Sequence, residues 1–505
     1  MPWRFSMRER GILMRLDEQP DAVIESLRHL FERQRNSFRQ CTPLGLGKRL
    51  EALDILLRSI VNCQDTIIEA VKADFGRRSA GETRLLEIFP LVDEIRYLKR
   101  NLRRWMQTRS ATANWQFLPS RTKIIYQPLG VVGVIGTWNY PVLLTLSPLA
   151  NAIAAGNHVI VKPSELAPAT AETLRQMISE AFPEEYATVI TGGREVASAC
   201  FALPFDHILF TGSQGVGKLV MKAAAENLTP VTLELGGKSP ALVHESYPVA
   251  TAADRICSAK FWNAGQTCVA PDYVIVPSTR MDEFVHECEI VISKRYPHPA
   301  SNADYTHLIS QAAWERMRDL VDDAQSKGAR VLQVDSKHGD VPVGSRFFPP
   351  TLILGANDLM RVMQEEIFGP ILPIVEYSVI DDALGFINAR SHPLALYYFD
   401  RNKSRIKKIL EQTVSGGVTI NDCIFHFVQH QLPFGGVGPS GMGAYHGFDG
   451  FIAFSKKKGV LLQNALVGSF LDRAFKPPYT PWSDRAIGLL VGQRKVRPIQ
   501  RMTLR

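Results

Sequence analysis

Two short turns carry the side chains that thiol chemistry needs. Leu233-Glu234-Leu235-Gly236-Gly237-Lys238 holds a carboxylate, Glu234, and Asn263-Ala264-Gly265-Gln266-Thr267-Cys268 ends on a thiol. A thiol near pH 7 is mostly protonated, yet its small thiolate fraction is a strong nucleophile. It adds to carbonyl carbon and gives a hemithioacetal with an aldehyde, after which a carboxylate base can activate a second reactant. The bland alternative for Cys268 is a buried, inert cysteine, the commoner fate of that residue. Both turns are marked by glycine, as presentation of a reactive group on a turn requires.

A third turn, Gly212-Ser213-Gln214-Gly215-Val216-Gly217, follows an apolar strand at 208–210 and opens a helix. Backbone amides there can face a pyrophosphate, helped by the helix dipole. The spacing departs from the usual dinucleotide fingerprint. It also comes near a P-loop, since Gly212, Gly217 and Lys218 fit, but Leu219 replaces the hydroxyl that would hold magnesium. A nucleotide triphosphatase is therefore the rival reading from another class. His426 and His430 have the outer spacing of a zinc motif, but Phe427 stands where its Glu belongs and Pro433 and Gly435 follow. No metal site is expected.

The elements that must position these turns begin with helices. Apolar residues at helical spacing predict a helix over 50–71, stopped by Asp74-Phe75-Gly76. Ser79 and Glu82 read as a capping box opening a second helix through Leu85, Ile88 and Val92 to Trp105, kinked at Pro90. Strands then alternate with helices: 123–126, 131–135, 158–161, 188–190 and 207–210, with a helix over 168–182. After Lys238 a second such region follows, with a helix over 249–261 and strands at 240–243 and 273–276. This alternation predicts an α/β fold built on a doubly wound sheet, which binds ligands at the carboxyl ends of its strands.

Composition fits that class. The chain of 505 residues is long enough for two or three domains. Its seven cysteines lack the short spacings of a disulfide or zinc framework, which points to a reducing, cytoplasmic setting. No apolar run is long enough to span a membrane, and the first residues lack the apolar core of a signal peptide. Met7 and Met14 are alternative starts. The net charge of +8 sits mainly in the tail 471–505, where eight basic side chains face two acidic ones. Nucleic-acid binding by the body of the protein is therefore not expected; a solvated tail or a weak contact with an anionic surface is.

The blocks 234–238 and 265–268 together resemble the two signatures of aldehyde dehydrogenases, and the likeness runs over about residues 50–459. It implies a Rossmann-like NAD-binding domain (21–233, after an N-terminal extension 1–20) with a bridging β-hairpin near 121–135. An α/β catalytic domain (234–430), a return and oligomerisation segment (431–470) with a subunit-bridging strand near 451–460, and the basic tail complete the expected layout, as a homodimer. The implied catalytic residues are Cys268 as nucleophile, Glu234 as the base for water, and Asn139 as an oxyanion donor. Asn139 lies in Thr137-Trp138-Asn139-Tyr140-Pro141, where Thr137 departs from the family's usual Pro.

For the cofactor, NAD with NADP also possible, the likeness implies Gly212, Ser213, Gly215 and Gly217 at the pyrophosphate and Lys162 and Glu165 at the adenine ribose. A surface ion pair is the plainer role for those last two. Glu366 would hold the nicotinamide ribose and Phe368 would pack on the nicotinamide. Tyr140, Phe425, His426 and Phe427 are expected in the substrate tunnel. Residues 228–233, 269–273 and 443–447 resemble class 3 enzymes, and 74–79 with 421–431 resemble coniferyl-aldehyde dehydrogenases. The implied reaction is oxidation of an aldehyde, with medium- and long-chain fatty aldehydes as the alternative substrates.

Overall fold

The computed structural model describes residues 20–334, 344–464 and 476–491. The start residues Met7 and Met14, and most of the basic tail, lie outside the described residues.

One compact unit comprises the described residues of Met1–Trp105 and Pro128–Ser455, and contains two sheets. The first runs in the order Gly441–Met442, Val231–Glu234, His207–Thr211, Val131–Ile135, His158–Lys162 and Ala187–Val189. All pairings inside it are parallel except that of Gly441–Met442 with Val231–Glu234. Its middle strands are buried along their whole length, as expected of parallel strands covered on both faces. Strand order reverses between Val131–Ile135 and His207–Thr211, so the crevice of a doubly wound sheet opens beyond Ile135 and Thr211.

The second sheet has seven strands, ordered Arg330–Gln333, Thr351–Leu354, Ile371–Tyr377, Tyr273–Pro277, Pro240–Val243, Ala395–Phe399 and Gly417–Ile420. It is parallel except at the Arg330–Gln333 edge. Helix Leu143–Ala155 is buried on every face, as its nearly uncharged apolar sequence dictates. Helix Pro20–Gln40, which the sequence reading did not single out, lays Leu27, Leu30 and Phe31 onto the first sheet's core. Each such side chain is worth about 1.5–3 kcal/mol.

Several expectations need correction. The stretch 50–71 is two helices, Leu46–Asn62 and Gln64–Phe75, meeting at Cys63. The second helix run begins with a π-helical turn, Arg84–Ile88, just before Pro90, and this turn swings Leu85 out to 54% exposure rather than into the core. Ser79 caps as expected, accepting from the Glu82 amide, but the Glu82 carboxylate does not return to it and accepts from Asn263 and Thr306 instead. No hairpin joins 121–135: Arg121–Pro128 pairs antiparallel with Arg109–Ala111, while fully buried Val131–Ile135 enters the parallel sheet. The stretch 451–460 begins as helix, Gly447–Ala453, before the strand Ser455–Leu462.

The second compact unit comprises the described residues of Met106–Gln127 and Lys456–Arg505. The strands Arg109–Ala111, Arg121–Pro128 and Ser455–Leu462 form a three-stranded sheet, and helix Pro481–Val491 follows. No helix among the described residues is long and apolar enough to cross a membrane.

Candidate active site

The turn bearing Cys268 grows from the end of helix Val249–Phe261. Asn263, Ala264 and Gly265 all take positive φ, at 51°, 50° and 73°. For the two non-glycine residues this is a strained choice, held only by surrounding structure. Asn263 Nδ2 donates to the carbonyls of Asn139 (2.9 Å) and Gln266 (3.2 Å), while Gln266 Nε2 donates to Asn263 O (2.9 Å). Gln266 Oε1 accepts from the Ile309 amide at 2.9 Å. Gly265 is required twice over, by its φ and because a Cβ would overlap the Gly369 carbonyl.

Cys268 itself is partly exposed. Its thiol is pushed up to about 12, first by burial among protein atoms and then by the charges of Glu366 and Glu234, while the Cys268 and Val269 amides pull the other way. Burial and these carboxylates thus favour the thiol over the thiolate.

Glu234 ends strand Val231–Glu234 and is 3% exposed. Neither of its carboxylate oxygens has a hydrogen-bond partner among the described residues. Burial alone pushes its pKa well above the ordinary carboxyl value. A buried, unpaired carboxyl destabilises the fold and so calls for a reason. It lies within electrostatic reach of Cys268, and its raised pKa makes it a stronger proton acceptor than an ordinary carboxylate.

Asn139 is 2% exposed and lies just beyond strand Val131–Ile135, at the reversal point of the first sheet. Its Nδ2 donates to Gln266 O at 3.0 Å, which ties it to the turn of the thiol. An amide nitrogen carries two hydrogens, so one remains for an oxyanion. Tyr140 Oη and Thr267 Oγ1 are 2.7 Å apart, adding a second tie.

At the same end of the sheet, Ser213 caps helix Gln214–Ala225, and the Cβ position of Gly215 meets open space. An outward-facing helix start of this kind suits a pyrophosphate. Gly217 serves differently: a Cβ there would come within 2.9 Å of Leu235, so it lets the helix pack. Lys162, 1% exposed, pairs with Glu165 at 2.7 Å. Burial works to raise the Glu165 carboxyl, but the Lys162 hydrogen bond and charge outweigh it and hold it below the ordinary value. Glu165 remains 39% exposed despite this pairing.

Of the acidic pair, Glu365 is held by Arg316 (3.1 Å) and Arg361 (2.9 Å). Glu366 faces inward, accepting from the Gly237 amide, with its carboxylate where a Cβ on Gly236 would lie. Burial and then Asp272 push it up to about 8 against Lys238 and Arg316. Phe368, at φ 52°, packs edge-to-face on Trp138 with centroids 5.3 Å apart. These groups fit NAD(P): an anion-accepting helix start, carboxylates for ribose hydroxyls and aromatic faces occupy one end of the sheet.

Cys268 opens onto an apolar pocket. Tyr140 and Phe427 line it as expected, together with Leu86, Leu143, Trp262 and Ile424. Two expected tunnel residues are not among the lining. His426 turns into the core, its Nδ1 2.9 Å from Thr419 Oγ1, and burial drives its pKa to about 4. Phe425 is 46% exposed, edge-on to Trp262. His430 Nε2 is 2.8 Å from an Asp93 carboxylate oxygen. The sequence reading missed the apolar wall at 85–90; the only local signal for it was Pro90, after a turn that departs from helical period.

The aldehyde dehydrogenase family profile matches residues 16–460. The coniferyl aldehyde dehydrogenase of Pseudomonas sp. strain HR199 is 41% identical over 456 residues, covering 90% of this chain and 94% of that protein. The substrate-bound state of Staphylococcus aureus AldH superposes with a TM-score of 0.86 at 35% identity, covering 92% of this chain and 99% of that one. A Mycobacterium tuberculosis aldehyde dehydrogenase complexed with NAD+ gives 0.79 at 28% identity, covering 88% and 90%. The triphosphatase reading is thereby set aside, and the protein belongs to the aldehyde dehydrogenase family, enzymes that oxidise aldehydes to carboxylic acids with NAD(P).

Proposed function

We propose that the substrate is an aromatic aldehyde of the coniferyl type and that Cys268, Glu234 and Asn139 carry its oxidation. The observation that supports this best is the thiol at the wall of an apolar pocket, near a buried carboxyl whose oxygens have no hydrogen-bond partner among the described residues. The Cys268 thiol gives its proton to water, the thiolate attacks the carbonyl carbon, and Asn139 Nδ2 with the Cys268 amide holds the oxyanion. Ser213 and its neighbours, with Lys162, Glu165, Glu366 and Phe368, would hold NAD(P), which when bound would supply the acceptor for the hydride lost from the tetrahedral carbon. The acyl group then remains on Cys268 as a thioester. Glu234 takes a proton from water, the hydroxide attacks the thioester carbon, and the acid departs as the thiol is regenerated.

The substrate class rests on the lining, where Tyr140, Trp262 and Phe427 offer ring faces and edges to a flat conjugated aldehyde. Turnover of coniferaldehyde, cinnamaldehyde, hexanal and dodecanal, read as NADH absorbance, tests this. Higher kcat/KM for the straight-chain aldehydes would reject it in favour of a fatty-aldehyde enzyme.

Removal of the oxyanion donor should be costly. Asn139→Ala is expected to lower kcat by roughly 10²–10³-fold, the scale of one lost donor, with cofactor binding intact. A parent-like kcat would remove Asn139 from the catalytic set.

For cofactor choice, Glu165 accepts from ribose hydroxyls and opposes a 2′-phosphate, while Lys162 works the other way. NAD is therefore expected to be preferred. Glu165→Gln should shift the ratio of kcat/KM toward NADP by about 1–2 kcal/mol, the scale of one partly screened repulsion. An unchanged ratio in the variant would mean that Glu165 does not meet the ribose.

The layout read from the sequence extends to a homodimer, formed through the exposed strand Ser455–Leu462, where Leu461 and Leu462 stand 50% and 46% exposed. Analytical ultracentrifugation giving a monomer at micromolar concentration would contradict this.

A further inference from the structure

A buried charge cluster lies behind the site and takes no part in the chemistry above. Arg78 is 2% exposed, and Glu82 and Glu87 are 9% and 0% exposed. The guanidinium sends its groups in three directions. Nη1 donates to the Asn139 carbonyl at 3.1 Å, Nη2 lies 3.2 Å from Glu87 Oε1, and Nε lies 3.9 Å from Glu82 Oε2. Its central carbon lies over two rings, 4.8 Å from the centroid of Phe75 and 5.1 Å from that of Tyr140.

Each carboxylate leads on to a different wall of the site. Glu87 Oε2 accepts from the amides of Val142 (2.8 Å) and Leu143 (3.2 Å), fixing the start of the helix that follows the Asn139 turn. Glu82 accepts from the Asn263 amide and the Thr306 hydroxyl, fixing the left-handed turn that precedes Cys268. Asn263 closes the circuit by donating to the same Asn139 carbonyl that Arg78 meets. Stability alone is a weak reason for such a cluster, because burying three charges costs desolvation that well-packed apolar side chains avoid. Geometric definition is the better reason: the guanidinium makes one hydrogen bond, to the Asn139 carbonyl, while Nη2 and Nε face the two carboxylates as ion pairs without hydrogen bonds among the described residues, and this planar group between two carboxylates has a restricted orientation.

We propose that Arg78 is a positioning residue for the oxyanion site: it holds the Asn139 backbone at a fixed place relative to the Cys268 turn, through Glu87 on one side and Glu82 on the other. This rests on the reading of Asn139 as the oxyanion donor. A lysine keeps the charge that the two carboxylates need, but its compact ammonium on a flexible stem lacks the rigid planar fork that meets the Asn139 carbonyl while lying over the rings. Loosening the donor by a fraction of an ångström weakens a contact made fully only at the tetrahedral stage, so kcat falls and ground-state binding does not.

The test is a double-mutant cycle of Arg78→Lys and Asn139→Ala, with cinnamaldehyde and NAD. Arg78→Lys alone is expected to lower kcat on the order of tenfold. KM for the aldehyde, Kd for NAD and the rate of Cys268 alkylation by iodoacetamide should stay near parent values. In the Asn139→Ala background the same substitution should have almost no further effect, because its target is gone. A tenfold loss that persists in that background, a loss shared by KM and alkylation, or no loss at all, overturns the role of Arg78 while leaving Asn139 in place. An Asn139→Ala enzyme with parent kcat overturns the oxyanion reading itself, and this inference with it. Where Arg78→Lys does not fold, Glu87→Gln replaces it: the amide keeps shape and the contacts to Val142 and Leu143 but frees the guanidinium. A smaller, Asn139-dependent fall in kcat supports the proposal, and none overturns it.

Discussion

Cys268→Ala is expected to abolish aldehyde oxidation while leaving NAD binding and thermal stability near those of the parent enzyme. Loss of a nucleophile that forms the covalent intermediate typically costs about 10⁴-fold or more. The fold should tolerate it because the turn is held by other groups. Asn263 and Gln266 make its hydrogen bonds, Gly265 supplies its positive φ, and the sulfur is only partly buried. Fluorescence titration with NADH, a melting curve and a turnover assay together separate lost chemistry from lost structure. Residual turnover above a few per cent would remove Cys268 from the nucleophile's role. A melting temperature many degrees lower would show that the thiol packs more than it reacts.

Glu234→Gln should acylate and then stall. With the base gone, water attacks the thioester slowly, so one equivalent of NADH forms in a burst and steady turnover is small. The pH dependence sharpens this. Burial raises the folded pKa of Glu234 well above the ordinary value, so the base keeps its proton to higher pH than an ordinary carboxyl. Deacylation by the parent should therefore climb with pH until that raised pKa is passed, and the Gln variant should lack the climb. Loss of the burst together with steady turnover would place Glu234 earlier, as the group that deprotonates Cys268. That alternative outcome is chemically sensible, because the thiol is held up at about 12 and favoured over the thiolate.

The same shift has a stability counterpart. A carboxyl whose folded pKa lies above its unfolded value, about 4.3, contributes most below that value and loses the contribution as pH rises through the folded pKa. The melting temperature of Glu234→Gln relative to the parent should thus rise with pH above about 4.3. A pH-independent difference would mean that Glu234 is not buried as a lone carboxyl.

The sequence alone singled out the groups proposed to react, and it determined much of the frame around them. Cys268 and Glu234 stand in turns whose glycines are needed where they occur, as the Gly265 backbone and the Gly236 contact with Glu366 bear out. The apolar runs at 131–135, 158–161 and 207–210 announced buried parallel strands, because a strand covered on both faces has no polar face to alternate. These are local signals, written in period and turn chemistry.

Only the tertiary structure decided which side chains meet. His426 and Phe425 carry aromatic rings beside Phe427, yet His426 points to Thr419 and Phe425 to Trp262, and only Phe427 reaches the pocket. Leu85 follows the helical stripe in sequence but leaves the core at the Arg84–Ile88 turn. Glu82 reads locally as half of a capping box, and its carboxylate instead crosses 181 positions of chain to the amide of Asn263. Arg78, one charge among many near a helix start, becomes the centre of the wall behind Asn139. Period and turn chemistry fix backbone conformation within a few residues. The partner of a buried charge is chosen instead by which distant group the packed sheets bring within 3 Å or so, where an unpaired alternative is too costly to persist.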